Sequence, residues 1–391
     1  MVRECPRLAD TSHWKRRSSK ECATEQRLAG RRAASGAPLN SIVSQRRNRT
    51  VIARLFTFSL VVALLTSTPI HAQYAAGYES TRIDDGARPI RLDVWYPANE
   101  KEAVVRYGIS VGSAAISAAP FGDGHPVILL SHGAMGAASN YSWIAETLAR
   151  RGYVVLGVSH FGESPVFGTP VDPASVGRFR DRTHDFNVAL DYLTQRSRLV
   201  NHLDPERIGA VGHSSGGATV LMLAGATFSA DLMSAYCKSG AAAIDKGCWY
   251  PRPDPATSNG QSPEIASRRV RAVVVLDPAV GPGFDQASIA KLSADLLIVG
   301  SVANDFLPYD AHAGRIARAK ADAQTILLAA GEGHFVYVDT CSLQIDVMGV
   351  PLCKDRAGVD RDAVHGKLAE AIVDFFSRTL ANPSPERSRA R

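Results

Sequence analysis

No apolar run in this 391-residue chain is long enough to span a bilayer: Leu55–Leu65 stops well short of the roughly 20 residues required. Cysteine is scarce, six in all, and no histidine stands at ligand spacing from the four beyond the N-terminal region, which argues against zinc and leaves the metal assignment at none. Surplus charge is missing too, although the formal net charge of +6 hides this. Residues 1–72 hold 13 of the 44 Lys/Arg and 4 of the 38 Asp/Glu, leaving 31 and 34, a net of −3, for the rest. The basic balance belongs to the N-terminal region, so nucleic acid is not an expected partner.

That region carries an export signal. Arg46, Arg47, Arg49 and Arg54 precede Leu55–Leu65, and Ala72 at −1 with Ile70 at −3 predicts cleavage before Gln73. An uncleaved anchor is the alternative. Residues 1–42 fit no pattern and read as an over-extended start, the true one lying near Val43 or Val51. Cleavage leaves a protein in the periplasm or outside the cell, with no membrane span. In that oxidising setting Cys237, Cys248, Cys341 and Cys353 read as two disulfides. Of three connectivities the local one is favoured, Cys237–Cys248 and Cys341–Cys353. Each staple contributes on the order of 3 kcal/mol.

Chemistry declares itself at residues 208–217, Ile-Gly-Ala-Val-Gly-His-Ser-Ser-Gly-Gly. A short apolar strand runs into Gly212-His213-Ser214-Ser215-Gly216, and a helix of small residues follows from Gly217 to Ala226. Strand, tight turn and helix are the context in which G-x-S-x-G forms a nucleophile elbow. The glycines let strand and helix approach closely enough to hold a strained serine. Gly108-Ile109-Ser110-Val111-Gly112 fits the same pattern but lacks both the strand and the helix, so Ser214 is preferred over Ser110. Ser215 needs glycine at 213, where the chain has His213.

Other pieces fall in a consistent order. His125–Leu130 is a buried strand leading into Ser131-His132-Gly133-Ala134-Met135-Gly136, a turn whose Ala134 N–H can face an oxyanion. The second such N–H comes from Ser215. His132 braces that turn, His213 flanks the elbow, and His160 stands at the start of the loop after its strand, where it can edge the pocket. Downstream, the strand 294–300 opens into a loop bearing Asp305, and the strand 325–330 leads to Gly333-His334-Phe335. Ser214, Asp305 and His334 make a Ser…Asp…His order. Asp277, at the end of the strand before, is the alternative acid. His184, His202, His312 and His365 read as helix or surface residues. Between the elbow helix and the next strand, residues 228–268 form an insertion able to overhang the site, lined by Tyr236, Trp249 and Tyr250 or else simply packing them on the body.

Strands alternate with helices at Trp143–Arg150, Asp185–Leu193 and about 363–380, with Arg91–Tyr96 an early antiparallel strand. The fold class is therefore α/β, a mostly parallel sheet covered on both faces. The organisation is leader 1–72, one catalytic domain 73–380, and a flexible tail 381–391.

The chain resembles the α/β-hydrolase family that includes bacterial predicted dienelactone hydrolases and platelet-activating-factor acetylhydrolases, with cutinase-like polyester hydrolases as more distant kin. The stretches that carry the resemblance are Val94-Trp95-Tyr96-Pro97, Leu130-Ser131-His132-Gly133, Gly152-Tyr153-Val154-Val155, Gly212–Gly217 and Gly333-His334-Phe335. It implies a secreted serine esterase working through an acyl-enzyme, with no cofactor, acting as a monomer on a small or polymeric ester. The acetylhydrolase branch takes its acid from the earlier strand end, Asp277; the dienelactone-like and cutinase-like branches take it from the later one, Asp305. Dienelactone hydrolases use cysteine where this chain has Ser214, which sets lactone chemistry behind ester hydrolysis. A peptidase or amidase with the same triad is the other alternative, and the chain lacks a propeller or large substrate-selecting domain.

Overall fold

The computed structural model describes residues 73–86, 88–251, 255–258 and 270–381. The leader with its cleavage point, nearly all of the tail, and parts of the 228–268 insertion lie outside the described residues.

The described residues open with four strands that the sequence patterning shows only in part: β1 (Ala75–Asp84), β2 (Pro89–Ala98), β3 (Ala103–Tyr107) and β4 (Ser110–Ile116). An alternating region follows, with β5 (His125–Ser131), α1 (Ser142–Arg150), β6 (Val154–Ser159), α2 (Phe179–Gln195), β7 (Leu203–His213) and α3 (Ser215–Leu223). Among the described residues of the insertion are the helices α4 (Ala230–Cys237) and the short α5 (Pro255–Ser258). Then come β8 (Val270–Leu276), α6 (Gln286–Ala290), β9 (Asp295–Ser301), α7 (Ala313–Ala319) and β10 (Gln324–Leu328). A small hairpin, β11 (Asp346–Val347) with β12 (Val350–Pro351), precedes the last helix, α8 (Arg361–Thr379).

Among the described residues ten strands form one sheet in the order β10-β9-β8-β7-β5-β6-β2-β1-β4-β3. From β6 to β10 every neighbouring pair is parallel, and β2 joins β6 antiparallel, as its alternating sequence suggests. The central strands read as unbroken apolar runs because each is buried on both faces. Along β5, Val127 and Leu129 enter one core while Ile128 and Leu130 enter the other. The first core is closed by α2 through Phe186, Ala189, Leu190 and Leu193. The second is closed by α1 through Ile144 and Leu148, and by α8 through Ile372 and Phe376. This is the α/β-hydrolase arrangement. Among the described residues no helix is long and apolar enough to cross a membrane.

The strand order places the site. From β5 the chain crosses to β6 on one side, then returns to β7 on the other. Connections leave the carboxyl ends of β5 and β7 in opposite directions, and a crevice opens at such a reversal. Ser214 follows β7 directly.

Candidate active site

Ser214 has φ 55° and ψ −120°, a left-handed backbone that a serine adopts only under constraint. Close packing supplies the constraint. A Cβ on Gly212 would lie 2.3 Å from the Gly216 carbonyl oxygen, and one on Gly216 would lie 2.0 Å from that of Ser131. The Ser214 N–H donates to Leu276 O at 3.0 Å, and its carbonyl accepts from Ala279 N–H at 2.9 Å, so β8 holds the elbow from the side. Six non-glycine residues among those described have positive φ, and four of them, Met135, Ser214, Asp277 and Val280, cluster here. Strain is concentrated where the chain must turn sharply around one hydroxyl.

His334 Nε2 lies 3.0 Å from Ser214 Oγ, and the histidine is 1% exposed. Its ring stacks on Phe306 at 5.1 Å. Burial pushes the imidazole down to about 3, so it is neutral and able to accept a proton at ordinary pH. The other ring nitrogen, Nδ1, faces the Asp277 carboxylate, with Oδ2 3.8 Å away. Asp277 Oδ1 accepts from Ser301 N–H at 2.7 Å, while its buried Oδ2 has no hydrogen-bond partner among the described residues. The hydroxyls of Ser301 and Tyr337, bonded to each other at 3.0 Å, also flank this carboxylate. Asn304 Nδ2 also lies 3.3 Å from Nδ1, its Oδ1 tied to Phe306 and Leu307 N–H. Nδ1 accepts from Asn304 in one tautomer and donates toward Asp277 in the other; a base for Ser214 needs the second. Burial raises the Asp277 carboxyl to about 7.

Asp305, the acid favoured from the sequence, stands elsewhere. Its Oδ1 accepts from the His334 backbone N–H at 3.0 Å, and its Oδ2 pairs with Arg356 at 3.0 Å. It grips the main chain of the histidine rather than the ring. The physical reason is reach: β8 is the neighbour of β7, and Leu276 at its end accepts from Ser214 N–H, while Asp305, in the loop after β9, meets only the backbone of His334.

Ala134 and Ser215 both line the inner cleft beside Ser214, and neither backbone N–H has an acceptor among the described residues. The turn carrying Ala134 is held by buried groups. Arg182 donates to His132 O at 2.5 Å, His132 Nδ1 meets Gly133 O at 2.7 Å, and Glu163 accepts from Met135 N–H at 3.4 Å. His160 does not edge the pocket; it pairs with buried Asp185 at 2.8 Å. His184 is exposed and lies 3.3 Å from Asp85, and His202 bonds Gly122 O. His365 stacks on Trp143 at 4.3 Å, and His312 pairs with buried Asp245 of the insertion at 2.7 Å. The rejected Ser110 is also explained: its hydroxyl donates to Asp339, which accepts the first N–H groups of α1.

One connection has no counterpart in the sequence reading. Gly133 N–H donates to Tyr141 Oη at 3.0 Å, and Tyr141 O–H donates to His213 Nδ1 at 2.8 Å. His213 Nε2–H then donates to His334 O at 2.9 Å. Burial keeps the His213 ring well below its usual range, hence neutral, so every bond in the wire has one direction. It ties the Ala134 turn, the elbow and the His334 loop together. The only sequence signal was a histidine inside the elbow motif.

Two clefts meet at Ser214. The inner one, of about 50 Å³, is walled by Phe179, Met233, Leu307 and the Cys237–Cys248 disulfide. The outer groove, of about 680 Å³, contains His334 and runs past Ile109, Val166, Phe335, Val347 and Met348. Its far wall is the hairpin stapled by Cys341–Cys353. Of the three aromatics expected to line the site, Tyr250 does so between the two clefts. Trp249 faces solvent under Lys246, and Tyr236 packs beside His312.

A strained serine at the strand–helix elbow, a buried imidazole on its hydroxyl and two free N–H groups beside it define the site of an α/β-hydrolase-fold protein. Comparison with known proteins gives the same class: the PETase family, described as PET hydrolase-like, matches residues 111–237, about a third of the chain. A cutinase of Thermobifida alba is 34% identical over 99 residues, 25% of this chain and 29% of its own length. A cutinase of Thermobifida fusca is 26% identical over 196 residues, 47% of this chain and 56% of the relative. The chain therefore spans only part of the curated relatives it matches. Among solved structures, a ferulic acid esterase from Streptomyces cinnamoneus shares the fold with a TM-score of 0.52 at 19% identity, covering 82% of this chain and 94% of that one. The chain is thus similar to cutinase-like, PET hydrolase-like proteins, while the carboxylate that faces its imidazole, Asp277, stands at the strand end that the resemblance to the acetylhydrolase branch implies.

Proposed function

We propose that this protein is an exported serine hydrolase of carboxylic esters, with Ser214 as nucleophile, His334 as base and Asp277 as the acid that orients it. In the forward step Ser214 Oγ attacks the ester carbonyl as His334 Nε2 takes its proton. The Ala134 and Ser215 N–H groups receive the oxyanion. His334 then gives its proton to the departing alkoxide, and water removes the acyl group by the same base. Asp277 holds the Nδ1–H tautomer and balances the imidazolium that forms. Two disulfides support an oxidising destination. The observation that carries this reading is the 3.0 Å contact of His334 Nε2 with an elbow serine at positive φ, at the junction of two apolar clefts.

A p-nitrophenyl ester and its matched anilide form the test. Rapid ester turnover with at least 10³-fold slower anilide turnover is expected. Comparable rates on both point to a peptidase or amidase, and inactivity on both removes the hydrolase reading.

A further inference from the structure

The two clefts differ more than tenfold in volume, about 50 Å³ against about 680 Å³, and the chemistry decides which part of an ester enters each. When the tetrahedral intermediate collapses, the C–O bond to the alcohol breaks and His334 Nε2 supplies the proton that the alkoxide needs. The alcohol oxygen must then lie on the His334 side. His334 lines the outer groove and is absent from the lining of the inner cleft. The alcohol portion accordingly takes the groove, and the acyl portion the inner cleft, beside the Ala134 and Ser215 N–H groups.

What limits the inner cleft is the insertion. Met233 on α4 is buried, and the Cys237–Cys248 bridge ties the end of α4 to the segment bearing Tyr250. Asp245, inside the stapled loop, is fully buried against His312 of the body, and Lys246 N–H donates to Phe306 O at 2.9 Å. The wall is thereby fixed to the loop that stacks on His334, and it is not a free flap. A cleft this narrow, closed by a fixed wall, has room for a short acyl chain only.

We propose that the Cys237–Cys248-stapled wall sets the acyl length of this hydrolase, admitting short acyl chains while the open groove takes a bulky apolar alcohol. The proposal rests on the ester-hydrolase reading and deepens it. Its test is kcat/KM for p-nitrophenyl esters of two, four, eight and twelve carbons with the wild type, Met233→Ala and the Cys237→Ala/Cys248→Ala double variant, fold being checked by thermal melting. The wild type is expected to lose at least tenfold between four and eight carbons, since a crowded apolar pocket discriminates by about 10-fold or more per excess methylene. Met233→Ala, which leaves the disulfide intact, and the double variant are each expected to raise the eight-to-four ratio at least tenfold. On the alcohol side, 2-naphthylethyl butyrate should show a lower KM than ethyl butyrate. Wild-type turnover of twelve-carbon esters as fast as four-carbon ones overturns the proposal, as does an unchanged ratio in a folded variant. Absence of turnover with every ester is a different result, which removes the hydrolase reading itself.

Discussion

Asp277 and Asp305 end neighbouring parallel strands, and both touch His334, yet on different atoms and in different surroundings. Asp277 is 2% exposed, faces the imidazole Nδ1, and keeps one oxygen without a partner. Asp305 is a quarter exposed on its side chain, binds the His334 main-chain N–H, and is shared with Arg356. A buried carboxylate beside a neutral ring is arranged to hold a tautomer and meet a developing positive charge. A partly exposed carboxylate already paired with a guanidinium is arranged to hold a loop. The difference teaches that proximity to the histidine is insufficient; the atom addressed and the burial around it divide orientation of the ring from anchoring of the backbone.

The largest effect expected is from removing the group on which both carboxylates ultimately act. Ser214→Ala should lower ester turnover by about 10⁴-fold or more, because the members of such a unit fail together. An organophosphate adduct found by mass spectrometry on another serine breaks the assignment.

pH separates the carboxylates next. With its carboxyl raised to about 7 by burial, Asp277 is charged only above that value, so kcat/KM should fall about tenfold per unit as pH drops below about 7. Stability moves the other way. The native state keeps this proton up to about 7, whereas the unfolded chain releases it near 4, so the group's contribution to stability is lost as pH rises through that window. Asp277→Asn should abolish this part of the pH dependence of the melting temperature; a limb unchanged in that variant contradicts the assignment.

Tyr141→Phe should cost about 10- to 100-fold in kcat with KM nearly unchanged. It removes the hydroxyl that receives Gly133 N–H and supplies the proton to His213, loosening the Ala134 turn against the His334 loop. A loss confined to KM contradicts this positioning role. The smallest effect is expected from Asp305→Ala: a few-fold in kcat, with a melting temperature lowered by a few degrees through the unpaired backbone N–H. A loss matching that of Asp277 variants would erase the distinction between the two residues.

The elbow was legible because its requirements are local: glycines at 212 and 216, a strand before and a helix after, all within ten residues. The strand-end turn at Ala134 and the core faces of α2 and α8 followed from equally short patterns. The identity of the acid was not legible, because Asp277 and Asp305 both follow an apolar strand. Only the lateral order of β7, β8 and β9 brings the first under the elbow. The wire through Tyr141 and His213 joins residues 72 positions apart, and no spacing reveals it. The strands β1, β3 and β4 are not legible, because they lie toward the sheet edge with weak alternation and are partly exposed along their length. The insertion showed its aromatics but not their directions, and Tyr250 alone of the three reaches the junction of the clefts.

The most direct test of the central claim is the pair Asp277→Asn and Asp305→Asn, assayed for kcat on one p-nitrophenyl ester at pH 8. Asparagine at 277 still accepts from Ser301 N–H but cannot favour the Nδ1–H tautomer, so kcat should fall by about 10³- to 10⁴-fold with the fold intact. Asparagine at 305 still accepts from His334 N–H and should cost less than tenfold. A thousandfold loss at Asp305 with a near-normal rate at Asp277 would contradict the account.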